Sequence, residues 1–192
     1  MILTINSQEN AESNSIAAAL ANRRADAGRN VLLLCQKKAK KRARQDNKTA
    51  GHETWLATEM KAGAKPRELA RDEIANELAS ADHLYRDIVI DLPKLQHADS
   101  LYVLAASALA VFTIQVDSWN LDCQKTLIQR IRAARLWNAS LPVLIIVDEP
   151  GSQAGIAMIS QLRNSVSDLR IIESAQTSHI SIAALYREIY PA

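Results

Sequence analysis

Four short apolar runs limit what this chain can fold into: Val31–Cys35 (VLLLC), Asp87–Asp91 (DIVID), Leu109–Gln115 (LAVFTIQ) and, behind Pro142, VLIIV. Each is too short for a helix. Each is also apolar almost throughout rather than at alternate positions, the pattern of a parallel strand covered on both faces. The opening MILTI reads as a further strand ending at the turn-prone pair Asn6-Ser7, and Leu169–Ile172 as a sixth. Between the runs the apolar period becomes helical. Ile16, Ala19, Leu20 and Arg23 mark one face of a helix closing near Gly28, and Leu69, Ile74, Ala75 and Leu78 give helical spacing from Pro66 to about Ala81. Helices are also expected over Ser100–Ser107, Leu121–Trp137, Ala154–Arg163 and Ile180–Tyr190. In Leu121–Trp137 the stripe of Leu121, Ile128, Ile131 and Leu136 is expected in the core, with Arg130, Arg132 and Arg135 as a solvated face.

Strands alternating with helices through short connections predict an α/β fold of three layers, α/β/α, with a mostly parallel central sheet and helices on both faces. No shift in composition divides the chain, so residues 1–192 read as a single domain. With 48% hydrophobic residues and only 5 Gly and 5 Pro, the sequence can build one core, which excludes a disordered, collagen-like or repeat protein. Ligands of open parallel sheets gather beyond the carboxyl ends of the strands. Asn6–Ser15, Cys35–Lys48 and Leu92–Gln96 are therefore expected to meet at one edge.

Cys35 and Cys123 are too far apart for a CxxC site, and His52, His83, His97 and His179 are scattered without ligand spacing. Neither a disulfide framework, a metal site nor a cofactor is expected. The amino-terminal residues turn polar after five positions, too soon for a signal peptide, and no run approaches the roughly 20 apolar residues of a membrane span. These features predict a cytoplasmic protein in a reducing compartment, with no membrane partner.

Charge is distributed unevenly. Between Lys37 and Lys48, seven basic residues (Lys37, Lys38, Lys40, Lys41, Arg42, Arg44 and Lys48) accompany one acid, Asp46, a local charge of +6 in a chain of net charge +2. The rest of the chain is thus net acidic. Such a run attracts phosphate backbones through counterion release and needs no contact with bases. It contains no aromatic residue before Trp55, so stacking on single strands is disfavoured and duplex DNA is the expected partner.

The order of elements resembles the ParA/MinD family of deviant Walker-type ATPases, P-loop NTPase-like proteins that move plasmids, chromosomes and other cargo in bacteria. In that family the first strand enters a loop of the type KGGxGKTT, followed by a helix ending in Gly and a second strand. Asn6–Gly28 and then Val31–Cys35 fit that layout without a gap, DIVIDLP resembles the Walker B segment with Asp91 at the metal-facing position, and LAVFTIQVDSWNLD resembles the next strand and loop, with Val116 where proline is usual. The phosphate loop itself is missing. Its lysines fall on Gln8 and Ser13, its glycines on Glu9, Asn10 and Glu12, and its Thr pair on Asn14 and Ser15. Glycines let backbone N–H groups wrap phosphate and lysine neutralises its charge. A carboxylate at about 4 Å from a phosphate would instead cost roughly 4 kcal/mol at an effective dielectric near 20. Cys35 and Gln36 stand where the family ends its second strand in aspartate.

The resemblance therefore implies a degenerate member, a pseudo-ATPase with Asp91 as a vestigial Walker B residue that caps the following turn. Cys35 reads as a small buried hydrophobe. The function expected is non-specific duplex DNA binding through Lys37–Lys48, with a ParB-like adaptor, in plasmid or chromosome partition or a related DNA transfer, at the nucleoid or a plasmid and with a homodimer as a further expectation. Two alternatives stand beside it: a pseudo-ATPase that modulates a true ParA-type ATPase or a secretion or conjugation machinery, and an atypical ATPase that still uses Asp91. Membrane anchoring of the MinD kind is disfavoured, because ALYREIYPA is short and nearly neutral.

Overall fold

The structure is a computed structural model that describes residues 1–7, 13–36, 54–92, 95, 98–148, 150–174 and 181–190. In chain order its elements are β1 (Ile2–Ser7), α1 (Ser13–Asp26), β2 (Val31–Gln36), β3 (Trp55–Glu59), β4 (Arg67–Leu69), α2 (Ile74–Leu84) and β5 (Asp87–Asp91). Then come α3 (Ala98–Ala106), β6 (Leu109–Gln115), α4 (Leu121–Arg135), β7 (Val143–Asp148), α5 (Gln153–Ser165), β8 (Leu169–Ser174) and α6 (Ile182–Ile189). One 8-stranded sheet runs in the order β4-β3-β2-β5-β1-β6-β7-β8. Every neighbouring pair from β2 to β8 is parallel, and β3 and β4 are antiparallel.

Alternation along each strand builds two cores. On one face Leu32, Leu34, Ile88, Ile90, Phe112 and Ile145 meet Leu78, Leu104, Leu127 and Leu162 of α2, α3, α4 and α5. On the other, Leu3, Ile5, Leu33, Val89, Val111 and Ile146 meet Leu20 of α1 and Leu185 of α6. The expected three-layer α/β/α architecture with a mostly parallel sheet is the fold observed. Both faces are apolar because both are covered, which is why the strands read as continuous runs. Among the described residues, no helix is long and apolar enough to cross a membrane.

Several local expectations are corrected. Asn6 and Ser7 do not turn the chain but continue β1, opposite Phe112 and Thr113 of β6. The buried face of α1 is Ala17, Leu20 and Ala21, one position round from the face read in the sequence. Alanine lets the helix lie close to the strands, so the smallest side chains face the sheet. The helix does close at Gly28, whose φ of 77° and bond from its N–H to the Ala25 carbonyl at 2.9 Å form a left-handed cap.

The segment from Pro66 is not helical at its start. Arg67–Leu69 is β4, paired with a strand, Trp55–Glu59, that the apolar runs do not announce. Leu69 and Ile74 are five apart, a spacing no helical face supports, and the Glu73 carboxylate accepts the Ala70 N–H at 2.7 Å where the chain turns into α2. The expected apolar stripe of α4 is buried only in its middle: Ile131 is in the core and Ile128 half-buried against it, with Leu127 as a further core residue, whereas Leu121 and Leu136 are exposed. Its arginines are not simply solvated. Arg132 donates to the Ser165 carbonyl at 2.6 Å and Arg135 to the Ser167 carbonyl at 2.7 Å, tying α4 to the end of α5.

At the amino edge of the sheet, Arg24 of α1 holds Asp87 of β5 through Nε at 2.9 Å and Nη2 at 2.7 Å. The Tyr190 ring lies 4.0 Å under the same guanidinium. This pair fastens α1 and the residue after α6 to the centre of the sheet.

Candidate functional site

The carboxyl edge holds the topological switch. From β1 the chain goes to β2 on one side of β5, and later crosses from β5 to β6 on the other side of β1. The connections leaving the adjacent strands β1 and β5 therefore run to opposite sides and open a crevice above their ends, where open α/β sheets bind ligands.

The floor of that crevice is tightly bound. The Leu92 N–H donates to the Ile5 carbonyl at 2.8 Å, and the buried Asn6 side chain donates through Nδ2 to the Leu92 carbonyl. Asn6 thus lashes the exit of β1 to the exit of β5, a role hidden in the sequence because Asn-Ser reads as a turn. Asp91 is in register with Ile5 on one side and Cys35 on the other, and only 1% of it is exposed. Burial, and then the negative charge of Asp91, push the Cys35 thiol up to about 12. A thiol so raised keeps its proton at neutral pH and is a poor nucleophile. Among the described residues no group of three or more His, Cys, Asp or Glu is placed to hold a metal ion.

Cys35, Gln36, Asn6, Ser7 and Leu92 lie together on this edge, as the sequence predicts for the parts of their segments that are described. The degenerate loop residues Gln8–Glu12 lie outside the described residues, and so do Lys37, Lys38, Lys40, Lys41, Arg42, Arg44 and Lys48. What the structure fixes is where that basic run attaches: β2 delivers it at Gln36, on the carboxyl edge, with β3 receiving the chain at Trp55. Two strand spacings, about 10 Å, separate the exits of β2 and β1. Trp55 is fully buried, so the aromatic nearest the run cannot stack on a base.

A second feature of this edge had no signal in the sequence. Asn120 caps α4, its Oδ1 accepting the Cys123 N–H at 2.9 Å. Ser152 caps α5 in the same way, accepting the Gly155 N–H at 3.0 Å. Between the first turns of the two helices lies a cleft of about 700 Å³ with Trp119, Asp122, Lys125 and Gln161 among its walls.

No protein-family model and no curated protein matches the sequence. Among solved structures, the apo form of a GTPase from Pyrococcus abyssi is similar to this chain at a TM-score of 0.41 and 7% sequence identity, over 100% of this chain and 79% of that one.

Proposed function

We propose that this chain is a non-catalytic, ParA-like pseudo-ATPase that binds duplex DNA without sequence preference through Lys37–Lys48, and that an adaptor partner couples it to plasmid or chromosome partition or a related transfer of DNA. One observation carries the reading: a run of local charge +6 leaves the sheet on the same edge, about 10 Å from the strand exit where the sequence reads QENAES in place of a phosphate loop. The two features are complementary. The β1 exit is acidic where a nucleotide would need glycine and lysine, while the β2 exit supplies the positive charge a DNA backbone needs. Positive charge built into the chain would bind DNA constitutively and remove the need for a nucleotide-dependent switch. Cys35 is half-buried rather than the fully buried hydrophobe expected, and its raised thiol pKa together with the deeply set carboxylate of Asp91 supports a non-catalytic reading.

The test replaces Lys37, Lys38, Lys40, Lys41, Arg42 and Arg44 by Ala and measures binding to a labelled random-sequence duplex. The reading predicts at least a hundredfold weaker binding with an unchanged melting midpoint. Unchanged affinity in the neutralised variant would exclude it. Measurable Mg²⁺-dependent ATP turnover, lost in Asp91→Ala, would favour the atypical-ATPase alternative.

A further inference from the structure

The buried face of α4 begins with a residue that does not suit a core. Gln124, Leu127, Ile131 and Ala134 make up that face, and only the first is polar. Gln124 is 8% exposed, yet its carboxamide makes no hydrogen bond to any described residue. Burying a polar group without a partner is unfavourable, and the great majority of such groups are hydrogen-bonded. This carboxamide therefore calls for a partner from outside the chain.

Its surroundings show where that partner would sit. Gln124 is a wall of the cleft of about 700 Å³ between the first turns of α4 and α5. Trp119 forms another wall, and its indole N–H is buried without an acceptor. Met158 and Ala157 of α5 add apolar surface, while the charged walls are Asp122 and Lys125, one of each sign. A concave space of this size, largely apolar and with a few polar groups, has the make-up of a small-molecule site. It also stands apart from the features used above. α4 and α5 cover one face of the sheet, whereas α1, which follows the degenerate loop, covers the other. β6 and β7, which lead into α4 and α5, lie three and four strands from β2, about 14–19 Å from the exit that delivers the basic run.

We propose that this cleft binds a small neutral molecule carrying a planar amide or lactam on an apolar body, with Gln124 as the group that recognises it. A carboxamide presents an acceptor and a donor side by side, and another amide matches both at once. The charged walls cancel, so the cleft draws neither sign of ion. A carboxylate would set its charge against Asp122 and the Gln124 carbonyl, and a cation would meet Lys125 and the positive ends of two helices. The indole of Trp119 and the thioether of Met158 suit a flat ring.

Benzamide is the probe, titrated into the full chain free of nucleic acid, so that the outcome does not depend on DNA binding. The readout is the 15N–1H signal of the Trp119 indole, identified by its loss in Trp119→Phe. That signal should move saturably, with a Kd of about 0.1–10 mM for so small a ligand. Acetophenone, which keeps the carbonyl and lacks the N–H donor, should bind at least tenfold more weakly, as should benzoate and the benzamidinium cation. Gln124→Leu should weaken benzamide at least tenfold while its melting midpoint stays or rises, because an unpaired polar group has been replaced by an apolar one of similar size. Ala157→Phe, which fills the cleft from an exposed position, should also abolish binding, and decides the matter if Gln124→Leu fails to fold. An indole signal that does not move at about 20 mM benzamide overturns the proposal. So does equal affinity for acetophenone, tighter binding of benzoate, or a Gln124→Leu variant that binds benzamide like the wild type.

Discussion

Cys35 and Asp91 face each other across β2 and β5, and their pairing makes a thiol that resists ionisation. A folded-state pKa raised to about 12 means the native protein holds its proton through a range where the unfolded thiol, near pH 8.5, has lost it. Native Cys35 binds more protons there, so its contribution to stability is complete below about pH 8.5 and is lost as pH rises toward about 12. In a Cys123→Ser background, alkylation of Cys35 by iodoacetamide should therefore keep accelerating beyond pH 10 without a plateau. A plateau near pH 8.5 would show an ordinary, accessible thiol. At the amino edge the same principle of burial acts through Arg24. Removing its guanidinium with Arg24→Met leaves Asp87, 3% exposed, without its main counter-charge, and should cost about 3–5 kcal/mol in urea unfolding.

Among the elements, the β3–β4 hairpin contributes more than its length suggests. Trp55 of β3 and Leu69 of β4 are buried opposite one another and pack with Ile74, Leu78 and Ala81 of α2, so the hairpin is covered by the helix that follows it. Trp55→Ala should destabilise the protein by about 3–5 kcal/mol, checked by chemical denaturation, because the cavity opens under α2. The hairpin was not legible in the sequence, for a physical reason. Its strands are covered on one face only and the three residues of β4 include the exposed Arg67 and Glu68, so no apolar run forms. The central strands were legible because burial on both faces leaves no polar alternation to confuse with a helix or a loop. Asn6 escaped notice because its hydrogen bond to Leu92 crosses between strands 86 residues apart, which local turn preference cannot reveal. The exposed Leu136 ends a stripe that the sequence assigns to the core, since periodicity says which face is apolar but not where its covering layer stops. At the carboxyl edge, topology alone predicted that the described ends of these segments meet, whereas the cleft between α4 and α5 depends on how two helices splay and has no sequence mark.

At the scale of the whole molecule, the sheet separates two ends with different surfaces. The carboxyl edge receives the basic run from β2 and the chain elsewhere is net acidic, so DNA should be engaged at that edge and repelled elsewhere. With Trp55 buried, duplex should be preferred to single strands of equal length, and equal affinity for both in a competition assay would contradict that. The C-terminal helix α6 buries Leu185 and Ile189 against α1 and the sheet, which leaves its apolar face committed to the core rather than to a bilayer. The central claim is that the charge of Lys37–Lys48 replaces a nucleotide in attaching this fold to DNA. Fluorescence anisotropy of a labelled random duplex, titrated at 50 and 200 mM salt with and without Mg-ATP, tests it most directly. If about four phosphates are engaged, the logarithmic salt slope should be near −3.6, a loss of roughly a hundredfold over that range, and ATP should change nothing. Binding that appears only with ATP, or no binding in either salt, would contradict the account.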